Sequence, residues 1–131
     1  MSKNVLLAMA ASAVLLATGV PAIAHHSVNA QFQAQVQFTI TGVLTKVDAV
    51  NPHSWWHVTV QESDGTKTIW ALESLNPTGL IRKGLKIKSQ LKLGETYDFR
   101  ISPARKDPEG SRIGFMRSIT VDGEEFVVVE F

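Results

Sequence analysis

The chain contains no cysteine among its 131 residues. It therefore forms no disulfide bond, binds no metal through thiolate ligands and has no thiol nucleophile. Any metal ion must be held by histidine, carboxylate or main-chain groups. The sequence also lacks a Gly-rich phosphate loop, a Ser-His-Asp arrangement and a paired-carboxylate motif. The common signatures of nucleotide binding and of hydrolysis are thus missing.

Neither sign of charge dominates. The chain has 13 Lys and Arg residues against 12 Asp and Glu residues, for a formal net charge of +1. A domain this close to neutrality is a poor non-specific binder of nucleic acid or anionic membranes. We therefore expect no nucleic-acid partner.

The long apolar run is confined to the start of the chain. Lys3 precedes a stretch of Val, Leu, Ala and Met from Val5 to Val20, and Ala22-Ile23-Ala24 is a small-x-small cleavage site. The run is shorter than the about 20 apolar residues that a membrane span needs. Residues 1–24 are therefore predicted to be a signal peptide cleaved after Ala24. The mature protein is expected to be periplasmic or secreted, with no stable membrane anchor.

Removing residues 1–24 from the 131 leaves 107 residues, enough for one small domain. Residues 25–34 are predicted to be an extended, polar N-terminal lead-in, and residues 35–131 a single domain. That domain alternates apolar and polar residues in short runs separated by turn residues, which is typical of β-strands. The strands are predicted at residues 35–48, 54–62, 66–73, 96–102, 112–121 and 125–131, with a bend or bulge at Gly42.

One segment interrupts the strands. Asn76 and Pro77 can start a short helix that ends near Gly84. Three strands, a helical connection and two further strands is the order of an OB-fold. The fold predicted is therefore all-β with one short helix, a small antiparallel OB-like barrel of five to six strands. A β-sandwich is the alternative.

The chemistry indicated by the sequence lies in its four histidines. Cleavage after Ala24 makes His25 the amino terminus, where the α-amine and the ring Nδ1 can bind one ion together. Nitrogen ligands of this kind suit copper or a similar divalent metal. His26 is a further or substitute ligand. The interpretation that two histidines simply follow a cleavage site remains open.

The other two histidines lie in the second predicted strand. Strand alternation places His53, Trp55 and His57 on one face and Trp56 and Val58 on the other, more apolar face. Four residues of strand span about 13 Å, so His53 and His57 cannot share one ion without a bulge. One of them is expected to join His25. Each is also compatible with an ordinary turn or surface role.

A metal-free function is the second hypothesis. Trp55, exposed beside the histidines, and the basic connection from Lys83 to Lys92 would then hold an oligosaccharide, another small ligand or a partner protein. Glu73 is interpreted either as a strand-end charge or as a carboxylate that orients a histidine. Catalysis by a copper site is left open, with binding favoured, because no substrate cleft is evident from the sequence.

Four motifs resemble a bacterial family of small exported proteins of unknown function. They are His25-His26-Ser27, the Asn-Pro-His-Ser-Trp run 51–55, the Trp-x-x-Glu of 70–73, and the Asn-Pro-x-x-Leu-x-Arg-x-Gly run 76–84. The chain departs from that pattern in having Leu85 where a Trp is expected, and Asn29 in a looser lead-in. The resemblance implies an exported single domain and supplies no activity.

Overall fold

A computed structural model of the protein describes residues 28–106 and 112–130. Short helices and six strands make up these residues. In chain order they are α1 (Val28–Gln31), β1 (Phe38–Asp48), β2 (His53–Gln61), β3 (Lys67–Leu75), α2 (Pro77–Arg82), α3 (Ile87–Gln90), β4 (Thr96–Pro103), β5 (Arg112–Val121) and β6 (Glu124–Val127). Within the described part of the chain, no helix has the length and apolarity to cross a bilayer.

The strands close into a five-stranded barrel. β1 pairs antiparallel with β4 through its first half and with β2 through its second half. β2 pairs antiparallel with β3, β4 pairs antiparallel with β5, and a parallel pairing of β3 with β5 completes the circuit. β6 pairs antiparallel with the second half of β5 and lies outside the five-stranded ring. The prediction of a small OB-like barrel is confirmed.

The sheet is mixed, although the sequence predicted an antiparallel one. The parallel pairing aligns Trp70 with Arg112 and Glu73 with Phe115. Parallel neighbours need a long crossover between them. α2, α3 and β4 together supply that crossover, so the helical connection is also what permits the barrel to close.

The core is built from the inward faces of these strands. Trp56 and Val58 of β2 are fully buried, as strand alternation predicted, and Leu72, Phe99 and Ile119 are buried beside them. Neighbouring side chains in a strand point to opposite faces, so β2 buries every second residue over its first half, whereas residues 114–119 of β5 are all buried. The same alternation gives β2 an outward face that is available to a site.

Gly42 is required by a close approach of two strands. A Cβ atom at this position would lie 2.6 Å from Val58 Cγ1 and 2.7 Å from the carbonyl oxygen of Thr59. The predicted bulge at Gly42 is misplaced, because the pairing of β1 with β2 shifts between Leu44 and Lys46. Two residues then oppose one, which changes the phase of the strand.

α2 begins where the sequence predicted. The Asn76 side chain accepts a hydrogen bond from Gly79 N at 2.8 Å, and Pro77 occupies the first turn. An N-cap oxygen satisfies a backbone N–H that has no partner within the helix, and proline has no N–H to satisfy. The helix buries Leu80 against the barrel.

A charged cluster ties the end of the chain to β4 and β5. The Arg100 guanidinium donates to Gln37 Oε1 and Glu130 Oε1, each at 2.8 Å, and to Glu125 Oε1 at 3.2 Å. The Ser118 hydroxyl, followed by Arg100, holds the pKa of Glu125 below its ordinary value. Arg100 lowers the pKa of Glu130 in the same way. The folded state therefore favours both carboxylates in their charged form.

We expect acid to destabilise the protein through this cluster. A carboxylate whose pKa is lower in the folded chain stabilises it above the unfolded pKa and loses that effect as the pH falls through the folded pKa. The urea concentration at the unfolding midpoint is measured from about pH 6 to about pH 3. It should decrease once the pH falls below 4.5, the ordinary pKa of glutamate. Arg100→Met should flatten that decline.

Lys67→Met is the matched control, because Lys67 is an exposed cation on β3 away from this cluster. It should leave the pH dependence of the wild-type protein in place. If both variants show the same slope, the cluster contributes nothing to acid stability.

Candidate functional site

The outward face of β2 carries three of the side chains that the sequence singled out. His53, Trp55 and His57 are each partly exposed, while the intervening Ser54 and Trp56 are buried. The alternation follows from the unbroken antiparallel pairing of β2 with β3, which runs from His53 opposite Leu75 to Gln61 opposite Lys67. The predicted division of the two faces is confirmed.

His53 has a carboxylate partner on the neighbouring strand. Its Nδ1 is in close contact with Glu73 Oε1. Glu73 stands opposite Trp55 in the ladder, so His53 reaches it diagonally across one face of the sheet. A carboxylate accepts hydrogen bonds only, and it therefore fixes the proton of a neutral imidazole on Nδ1. The second ring nitrogen, Nε2, is then left as an acceptor or a metal ligand.

The two partners differ in exposure. The side chain of Glu73 is 8% exposed and that of His53 is 35% exposed. A buried carboxylate is costly unless it is paired. The ring of His53 meets that need from the solvent side, and so it is held in one orientation at the surface of the barrel.

The described part of the N-terminal lead-in packs beside this face, against the end of β4 and against β5. Phe32 is buried, bridges to Ala104, and packs its ring 5.5 Å from that of Phe115. Gln33 N donates to the carbonyl oxygen of Pro103 at 2.9 Å, and Arg105 Nε donates to that of Asn29 at 2.8 Å. The sequence predicted extended chain here, whereas residues 28–31 form one helical turn. Anchoring by Phe32 and by these backbone contacts accounts for the difference.

A pocket of about 520 Å³ lies between the lead-in and the barrel. Ala30, Gln31 and Phe32 line one side, and Trp55, Glu73 and the loop at Arg105 line the rest. Small-ligand pockets commonly hold roughly 300–1,000 Å³. Val28, the first described residue after His25 and His26, is thus two residues before Ala30, which lines the same pocket as Glu73.

His57 belongs to a different set of contacts. Its Nε2 lies 3.5 Å from Asp48 Oδ2, and Asp48 also pairs with Lys46 at 2.8 Å. The hydrogen bond from Lys46 is the main cause that lowers the pKa of Asp48, and His57 adds to it. Since no bulge interrupts β2 against β3, the two histidines remain about 13 Å apart along the strand. They do not converge.

No metal centre is complete within residues 28–106 and 112–130, where three or more His, Asp or Glu groups never come together suitably. His25 and His26 lie outside the described residues. The predicted site uses the amine and ring of His25 together with one strand histidine. Because His25 lies outside the described residues, the structure does not test this prediction.

Trp55 and the basic connection from Lys83 to Lys92 line different pockets. The sequence placed them together as one ligand face. In the structure Trp55 lies in the pocket under α1 with Arg105 and Lys106, whereas Lys86 and Lys88 line a separate cavity. The basic residues near Trp55 come from the loop after β4, which no local pattern in the sequence connects to β2.

The fold and this site define the molecule as a small OB-like barrel with a histidine–carboxylate pair on its outer face. A sequence model described as a family of unknown function, DUF6152, matches residues 11–116. The match covers most of the chain, so the protein belongs to that family. It includes all four histidines and Glu73. No curated protein matches the chain.

Proposed function

We propose that the protein is an exported, periplasmic binding protein for copper or a similar divalent metal. The ligands are two nitrogens of His25 and Nε2 of His53. The His25 nitrogens are its ring Nδ1 and its α-amine, which cleavage after Ala24 frees. Imidazole and amine nitrogens are favoured by copper among the divalent ions. His26 stands next in the chain as a further or substitute ligand.

The contact between His53 and Glu73 carries the proposal. Histidines that bind metals usually donate their other ring N–H to a carboxylate or a carbonyl group, which fixes the ring and raises its basicity. Glu73 is placed for that role at Nδ1 of His53. His57 has a weaker claim, because its Nε2 itself faces Asp48.

Chain length limits how far the terminal amine can reach from the described part of the lead-in. Ala30 lines the same pocket as Glu73, and His25 is five residues before it. Because α1 begins at Val28, only the three residues from His25 to Val28 can be fully extended, and they span at most about 11 Å. The proposal therefore requires Nε2 of His53 to lie within that reach of Val28.

The first experiment separates the terminal amine from the ring of His25. Protein is exported to a bacterial periplasm, its first residue is checked by intact mass, and Cu(II) affinity is measured by competition with a chelator. Inserting Gly-Pro between Ala24 and His25 moves the amine away, and proline supplies no amide N–H as a replacement ligand. Affinity should fall at least about 100-fold, since losing a direct ligand costs more than losing an outer partner.

Electron paramagnetic resonance provides the second measurement. The unmodified protein should give one Cu(II) species per chain, with hyperfine coupling to several nitrogens. His57→Ala should leave that spectrum unchanged, which makes it the matched control for His53→Ala. Equal Cu(II) affinity with and without the Gly-Pro insertion would overturn the proposal.

A metal-free ligand module is the second candidate, favoured by the pocket of about 520 Å³ beside the partly exposed indole of Trp55. An aromatic face of this kind can stack on a sugar or another flat ligand. Arg105 and Lys106 lie at the same pocket and would favour a polar or anionic group. Under this function Trp55→Ala weakens ligand binding and His25→Ala does not.

A further inference from the structure

A second cavity of about 590 Å³ lies between the end of β1 and the connection from α2 to β4. It shares no lining residue with the pocket at Trp55. Its walls are mainly aliphatic and include Leu44, Val47, Ile81, Leu85, Ile87 and Leu91. An aliphatic cavity of this volume suits the hydrocarbon part of a small ligand.

The connecting segment that supplies part of this lining is basic. The connecting segment 77–92 carries no Asp or Glu, and its basic residues are Arg82, Lys83, Lys86, Lys88 and Lys92. All five are exposed. Lys86 and Lys88 belong to the lining itself. Two lysines at the lining of an apolar cavity favour a ligand with an anionic head and an apolar body.

We propose that this cavity binds a single-chain anionic amphiphile, an aliphatic carboxylate, as a free monomer. The chain lies against the aliphatic walls and the carboxylate faces Lys86 and Lys88. Leu44 and Leu85 of the lining are fully buried, so the cavity can enclose part of a single chain. Ile81 and Leu93 of the same lining are 57% and 63% exposed, so contact with a membrane surface is an outcome of the test. The described part of the lead-in, residues 28–34, contributes nothing to this lining.

Calorimetric titration with dodecanoate below its micelle concentration tests the proposal. Octanoate and dodecyltrimethylammonium serve as matched ligands, the first with a shorter chain and the second with a cationic head. Dodecanoate should bind one per protein and at least about 10-fold tighter than octanoate, because each buried methylene contributes to affinity. The cationic analogue should bind at least about 10-fold more weakly than dodecanoate.

Two variants locate the binding. Ile81 lines the cavity and is 57% exposed, so Ile81→Glu places a charge there at little cost to folding. Ile69 on β3 is 64% exposed and lies outside the cavity, which makes Ile69→Glu the matched control. Ile81→Glu should weaken dodecanoate binding at least about 10-fold, and Ile69→Glu should not. The double variant Lys86→Glu/Lys88→Glu should abolish the preference for the anionic head.

Three results would overturn the proposal. They are equal binding of the anionic and cationic amphiphiles, an unchanged affinity in Ile81→Glu, and binding to anionic lipid vesicles without binding of monomeric dodecanoate. The last result would identify a membrane surface as the occupant. None of these measurements depends on copper, so this proposal and the metal-binding proposal fail independently.

Discussion

Trp56→Ala should lower the free energy of unfolding by about 3–5 kcal/mol. Trp56 is fully buried in the barrel. Its indole Nε1 donates to Ser54 Oγ at 2.9 Å, and that hydroxyl donates to the carbonyl oxygen of Leu75 at 2.6 Å. Truncation removes the largest of the fully buried side chains in the described residues and leaves a cavity among closely packed strands. Domains of this size are stable by only about 5–15 kcal/mol, so the loss is a large part of the total.

The matched control is the neighbouring residue. Trp55 is the same side chain on the opposite face of the same strand and is partly exposed. Trp55→Ala should cost about 1 kcal/mol or less. Urea unfolding followed by far-ultraviolet circular dichroism measures both variants without relying on tryptophan emission. Equal costs for the two substitutions would contradict the division of β2 into a core face and a site face.

The faces of β2 were predictable because they depend on local alternation. Trp56 and Val58 are the apolar members of one set, and their burial required no knowledge of the partner strands. The cap of α2 was predictable for the same reason, since Asn76 and Pro77 are adjacent in sequence. The strand β5 also has the predicted bounds, Arg112–Val121.

The contacts that assemble the candidate site depend on register, which a single sequence does not specify. Glu73 meets His53 only because β2 pairs with β3 so that Trp55 stands opposite Glu73. The sequence offered Glu73 as an orienting carboxylate without indicating which histidine it contacts. The parallel pairing of β3 with β5 and the position of the β1 bulge likewise arise from barrel closure. Closure involves residues that are far apart in the chain.

The role of Glu73 can be tested under the proposed copper function. Glu73→Leu removes the carboxylate from Nδ1 of His53 and fills the buried position with an apolar side chain of similar size. Cu(II) affinity should fall about 10- to 100-fold, the usual effect of removing an outer-shell partner. Glu73→Gln should lose less, because its amide oxygen still accepts the Nδ1 proton. Chelator competition measures all three proteins, and urea unfolding checks that each is folded.

Asp48→Asn is the counterpart at the other strand histidine, because Asp48 is the carboxylate that faces His57. If His53 is the strand ligand, Asp48→Asn leaves Cu(II) affinity unchanged while Glu73→Leu reduces it. The reverse pattern would assign the ligand to His57 and contradict the choice of His53. If neither substitution matters while the Gly-Pro insertion abolishes binding, the amino terminus binds copper without either strand histidine. The two carboxylate–histidine pairs therefore identify which end of the outward face of β2 the mature terminus uses.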